Sequence, residues 1–239
     1  MAQSQVLIFQ HVPWEKPGRI AYSLEDCGLD YCTLSVAGEE NPDLPEVADL
    51  SGLVIMGGPM GARDFDAYPG LKAENRLAKA AIKAGIPTIG VCLGHQIMAA
   101  ALGAKVKSGD NQEIGFFPIS RQARDSYLPL GKQPQTVLHW HGDTVACPEG
   151  GTLLASSQKT KNQAFRYGSA LGMQFHLEVD SLLFEEWMST KEMTGGMKKS
   201  DISRLKDDFD RYSSSIQLLA DSVFSAFAAR CMTFMRDKA

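Results

Sequence analysis

One stretch of the chain, Gly90-Val91-Cys92-Leu93-Gly94-His95-Gln96, sets a nucleophilic side chain between two glycines where an extended segment gives way to a helical one. A strand that ends on a small residue, turns at a thiol and opens a helix after a second glycine follows the plan of a nucleophile elbow, with Cys92 where serine more often stands. The glycines flank the turn because side chains there would collide with neighbouring strands. A thiol at a helix N-terminus meets the positive end of the macrodipole. Its pKa is therefore expected to fall from about 8.5 towards 7, a change of about 2 kcal/mol. Cys27, Cys32, Cys147 and Cys231 lack such a setting and read as small hydrophobes.

Such a thiol needs a base to take its proton and later to protonate the leaving group. Gln174-Phe175-His176-Leu177-Glu178 offers one. Residues two apart on extended chain share a face, so Glu178 is placed to orient and charge-stabilise the His176 ring. His95, three residues after Cys92, reads as a packing or binding residue. His139 and His141 point the same way along one strand, but two ligands without a nearby third make no metal site, and none is expected. His11, beside Pro13 and Trp14, reads as a surface residue within reach of a ligand. Gly57-Gly58-Pro59 ends another strand, and in a parallel sheet loops at the carboxyl ends meet. The backbone N–H groups of Gly58 and Leu93 are expected to form an oxyanion hole, one such donor being worth about 3 to 4 kcal/mol in the transition state.

Short apolar runs alternating with helical patterns position these groups and predict an α/β fold, a largely parallel central sheet flanked by helices. Strands are expected at 6–9, 53–56 and 86–91, and helices at 71–84 and 95–102, the latter two stopped by Gly85 and Gly103. Shorter strands follow at 115–119, 136–140, 153–155, 163–167 and 171–175, with a loop at 125–135. Beyond Val179 the pattern is helical. Ile202, Leu205, Phe209, Tyr212, Ile216, Leu219, Val223 and Phe227 form one apolar stripe on a long helix. That stripe must be covered, by the main domain as the plainer expectation or by a second copy of the chain in a homodimer.

Composition excludes several classes. Of 239 residues, 44% are hydrophobic and 22% charged, which is ordinary for a soluble globular protein. A net charge of −4 gives no footprint for nucleic acid. No apolar run approaches the roughly 20 residues that span a bilayer, and MAQSQVLIFQ lacks the marks of a signal peptide, so no membrane association is expected. Five cysteines without a CxxC pair argue against a disulfide framework and for a reducing, cytoplasmic location.

Taken together, Met56-Gly57-Gly58-Pro59, then residues 90–96, then residues 174–178 resemble the class I glutamine amidotransferases, in that family's order. The likeness is greatest to stand-alone proteins similar to the amidotransferase domain of GMP synthetase. Supporting stretches are Gln112-Glu113-Ile114-Gly115-Phe116-Phe117-Pro118, His141-Gly142-Asp143 and Asn162-Gln163-Ala164-Phe165-Arg166. The resemblance covers roughly residues 5–185 and implies an amidotransferase-like domain over 1–185, with 186–239 a helical extension packed on it. It implies that Cys92 attacks the γ-carbonyl of glutamine to form a γ-glutamyl thioester, with His176 and Glu178 completing a catalytic triad and no cofactor. Gln96, and with it His141, Gly142 and Asp143, would hold the substrate's amino-acid end. Leu177 departs from the family's usual proline without disturbing the His-x-Glu spacing. No synthetase domain and no phosphate loop is visible, so ammonia would be released or passed to a separate synthetase. The same triad would also serve a γ-glutamyl peptide hydrolase. A non-catalytic binding or regulatory protein on this fold is disfavoured by the intact Cys92, His176 and Glu178.

Overall fold

A computed structural model describes residues 5–107 and 112–238; residues 1–4, which open the stretch weighed as a signal peptide, lie outside them. The first half runs β1 (Gln5–Phe9), α1 (Arg19–Asp26), β2 (Tyr31–Leu34), β3 (Leu50–Ile55), α2 (Leu71–Lys83), β4 (Thr88–Val91) and α3 (Leu93–Ala101). The second half adds β5 (Val106–Lys107), β6 (Glu113–Arg121), β7 (Gln135–His141), β8 (Thr144–Val145), β9 (Thr152–Ser156), β10 (Ala164–Tyr167) and β11 (Ala170–Met173). Three helices close the chain: α4 (Ser181–Ser189), α5 (Lys191–Thr194) and α6 (Lys199–Lys238). Sequence reading passed over α1 and β2. Helix α1 is eight residues long and β2 is a four-residue edge strand no more than half-buried, so each gives only a short signal.

Nine strands form the central sheet in the order β2-β1-β3-β4-β11-β10-β9-β6-β7, while β5 and β8 pair apart from it. The five from β2 to β11 are parallel, and the remaining pairings are antiparallel. Register aligns Phe9 with Ile55, Ile55 with Gly90, and Val91 with Met173. Four consecutive strand ends therefore stop on one edge, and the segments that leave them face one another.

Alternation along β1 splits the core. Val6 and Ile8 join a cluster under α1 and α6, whereas Leu7 and Phe9 join one under α2 and α3. The stripe on α6 is covered within the chain: Leu205, Phe209, Ile216, Leu219, Val223 and Phe227 are buried, and the helix lies on α1, β3, β6 and β7. Phe209 stacks on Phe184 of α4 with centroids 4.1 Å apart. Contrary to the expectation from the raw sequence, α6 contains an 18-residue window with a mean hydropathy of 1.3, long and apolar enough to cross a membrane. Asp221, Arg230 and several serines interrupt the apolar residues along the sequence, whereas in the helix the stripe from Leu205 to Phe227 is buried against the rest of the fold. Phe224→Ala is expected to destabilise the fold by about 3 to 5 kcal/mol in urea titration. Leu218→Ala, on the exposed side of the same helix, should change it by less than about 0.5 kcal/mol.

Candidate active site

Cys92 joins β4 to α3 at φ 51° and ψ −104°, the one non-glycine with positive φ among the described residues. Its N–H donates to the Met173 carbonyl at 2.8 Å, which ties the turn to the end of β11. Gly94 is required here by close approach. A Cβ on it would lie 1.9 Å from the carbonyl oxygen of Ile55, so α3 could not sit this near β3. The thiol is buried and points to the Trp140 carbonyl oxygen at 3.6 Å.

His176 follows β11 and is pinned to β7, its N–H donating to the Leu138 carbonyl at 2.8 Å. Its Nδ1 lies 2.6 Å from Glu178 Oε1. Trp187 packs edge-on against the ring at 5.0 Å, and its Nε1–H donates to the Trp14 carbonyl at 2.7 Å. Nε2 has no hydrogen-bond partner among the described residues, and the neighbour it acts on is the Cys92 thiol. The carbonyl of Glu178 accepts from the N–H of Arg19 at 3.0 Å, so α1 holds the carboxylate's backbone. Leu177 is fully buried between them.

Sequence reading expected a thiol acidified by the helix. Here the direction is reversed: burial pushes the Cys92 thiol up, and the neighbouring His176 only partly offsets it. Burial opposes charge on the His176 ring, but the Glu178 carboxylate and the Cys92 thiol push its pKa well above the ordinary value. Burial thus disfavours the thiolate while Glu178 and the thiol favour a charged ring, so the two groups titrate as a coupled pair.

The other expected residues fall around this pair. Gly58 and Leu93 are neighbours, a Cβ on Gly58 lying 2.9 Å from Leu93 Cδ2. As the first residue of α3, Leu93 has an N–H with no intrahelical acceptor. Gln96 Nε2 donates to the Asp143 carbonyl and to Gln174 Oε1, each at 3.1 Å. Gln96, Gly58, His141, Gly142 and Asp143 line one cleft of about 430 Å³ with Cys92. His95 is buried against Phe165, and burial lowers its pKa to about 3.

Two readings of histidines change. His11 is not at the surface. It is buried, with Nδ1 donating to the Gly57 carbonyl and Nε2 paired with Glu74 Oε2, both at 2.9 Å. Both partners are acceptors, so the ring needs both protons. Burial opposes that charge, but Glu74 and Gly57 raise its pKa. His139 and His141 do have a nearby third group, Glu113, their donor atoms lying within 4.8 Å of one another. Register explains it: Glu113 pairs with His141 across β6 and β7, a contact invisible in sequence. Its carboxylate is already engaged by Ser157 at 2.7 Å, Gln163 at 2.9 Å and His141 at 3.4 Å. Burial opposes its charge, yet His141, Ser157 and the nearby His139 hold its pKa down to about 2. Its oxygens are engaged by donors, whereas Nδ1 of His139 and of His141 has no hydrogen-bond partner among the described residues. Dialysis against a chelator should leave activity intact; loss on chelation with recovery on adding zinc would make Glu113, His139 and His141 a metal site. Sequence reading also missed Glu15 and Glu74, whose only signal is burial.

A family model for class-I glutamine amidotransferases matches residues 19–192. A glutamine amidotransferase-like protein of Salmonella typhimurium is 34% identical over 176 residues, 70% of this chain and 73% of that one. The glutamine-hydrolysing GMP synthase of Marinobacter nauticus is 31% identical over 69% of this chain, but the match spans only 32% of that enzyme. Among solved structures, a glutamine amidotransferase from Thermotoga maritima superposes with TM-score 0.85 at 30% identity, covering 95% of this chain and 99% of that one. Another from Methylobacillus flagellatus gives TM-score 0.83 at 26% identity, covering 97% and 95%.

Proposed function

Because this chain belongs to the class-I glutamine amidotransferase family, we propose that it hydrolyses the γ-amide of glutamine through Cys92, with His176 and Glu178 as base and orienter. The observation that carries this reading is the buried Cys92 thiol at a strained elbow, facing a histidine whose other nitrogen is 2.6 Å from a carboxylate. Cys92 Sγ attacks the γ-carbonyl carbon as its proton moves to His176 Nε2. The N–H groups of Gly58 and Leu93 hold the oxyanion. Collapse breaks the C–N bond, and His176 returns the proton to the departing nitrogen, giving ammonia and a γ-glutamyl thioester. Water then attacks with His176 as base, releasing glutamate and the thiol. Both donor hydrogens of Gln96 Nε2 are spent on Asp143 and Gln174, which leaves its Oε1 to accept from the substrate's α-ammonium. The ammonia is released or accepted by a separate synthetase.

A second reading, cleavage of γ-glutamyl peptides, is favoured by the cleft. Trp14, Ile114, Trp140 and Met193 line it beside Cys92, an apolar wall suited to a leaving group larger than ammonia.

Cys92→Ala should abolish turnover of either substrate. His176→Ala should cost about 10³-fold or more, Glu178→Gln less, and His95→Ala far less. If His95→Ala proved the more damaging histidine change, the base would be misassigned. Comparing kcat/KM for glutamine and a γ-glutamyl dipeptide on one preparation selects the substrate. A ratio of about 100 for the dipeptide is about 2.7 kcal/mol of extra transition-state binding, and would displace glutamine while keeping the triad.

A further inference from the structure

Glu15 lies in the loop after β1, is 5% exposed, and forms part of the wall of the cleft that holds Cys92. Its carboxyl presses on the glycine loop from behind, where a Cβ on Gly57 would be 2.4 Å from Oε2. One of its oxygens lies within 4.8 Å of donor atoms of both His176 and Glu178. Its Oε2 and Glu178 Oε2 are both buried with no hydrogen-bond partner. Two buried carboxylates that approach this closely are costly when both are ionised, whereas a proton on Glu15 removes one charge and gives it a donor to offer Glu178, directly or through one water.

We propose that Glu15 is a positioning residue of the reaction site: as a neutral acid it donates towards the free oxygen of Glu178 and backs the Gly57-Gly58 loop, and losing its proton disables the site. The inference rests on the reading of Cys92 and His176 given above. The groups facing Glu15 are His11 from its own loop, His176 and Glu178 beyond β11, and Cys92 at the head of α3. Glu74 of α2 acts through His11, and Glu192 of α5 lines the same cleft. Burial raises the Glu15 pKa to about 7; the positive field of His176 and His11 lowers it, and Glu178 raises it further. Below that pH the acid is neutral. Above it, a second carboxylate stands beside Glu178, holds the Cys92 thiol protonated and repels the oxyanion.

Glu15→Gln keeps the shape and a donor but cannot ionise. For the native protein, kcat/KM with glutamine should fall about tenfold from pH 6 to pH 8, following the neutral fraction of a group that titrates near 7. In Glu15→Gln that fall should shrink to less than about twofold. The pH midpoint for alkylation of Cys92 by iodoacetamide should also move down by about 1 unit, because a neighbouring negative charge has gone. A merely structural role would lower activity without changing either profile. The same fall and the same midpoint in both proteins would overturn the proposal. If glutamine is not turned over at all, the substrate reading fails and the alkylation midpoint decides on Glu15 alone. Thermal melting at pH 6 checks folding, and Glu15→Asn takes the place of a Gln variant that does not fold.

Discussion

The backbone conformation of Cys92 is the constraint on which the rest of the site depends. A non-glycine residue in that region costs about 1 to 3 kcal/mol and persists only where its surroundings over-determine it. Here they do. The residue before it is the last of β4, locked between β3 and β11; its own N–H is bonded to Met173; and α3 is set against Ile55 through Gly94. A strand that cannot shift and a helix that cannot retreat leave the connecting residue one conformation. That conformation aims its side chain out of the sheet at the edge where the other loops arrive.

Around that turn, charge is buried in quantity, and each group is either paired or kept neutral. His176 has Glu178, His11 has Glu74, and Glu113 has His141, Ser157 and Gln163. His95 and His139 are left neutral by burial, with pKa values lowered to about 3 and about 4. Buried ion pairs add little net stability, because desolvation consumes most of their attraction. What they provide is position. His11, held by Glu74, grips the carbonyl of Gly57, so one buried pair fixes the Gly57-Gly58 loop as another fixes the His176 ring.

The antiparallel half of the sheet takes part in the same site. Strand β7 gives the Leu138 carbonyl to the backbone of His176 and the Trp140 carbonyl to the thiol of Cys92. Helix α4 supplies Trp187, which braces the imidazole and the loop carrying Trp14 and Glu15. Helix α6 covers the far face with Phe224 and Phe227, so the strands that carry these groups sit in a filled core.

The elbow, the His-x-Glu pair and the glycine loop were legible in the sequence because each is local. Residue type, glycine placement and a spacing of two carry their meaning within a few positions. The alternation of short apolar runs with helical periods likewise read out the fold class and most strands, and missed α1 and the edge strand β2, which give only a short signal. The tertiary structure alone decided the rest. It placed His11 in the core, brought Glu113 across a strand pair to His141, and set Glu15 beside His176 and Glu178, contacts that join segments far apart in the chain. It also reversed the expected acidity of Cys92, since a helix dipole is a property of the local turn, whereas burial depends on every element that closes over it. Chain order specifies which groups are available; only packing specifies how much water they keep, and that sets their charge.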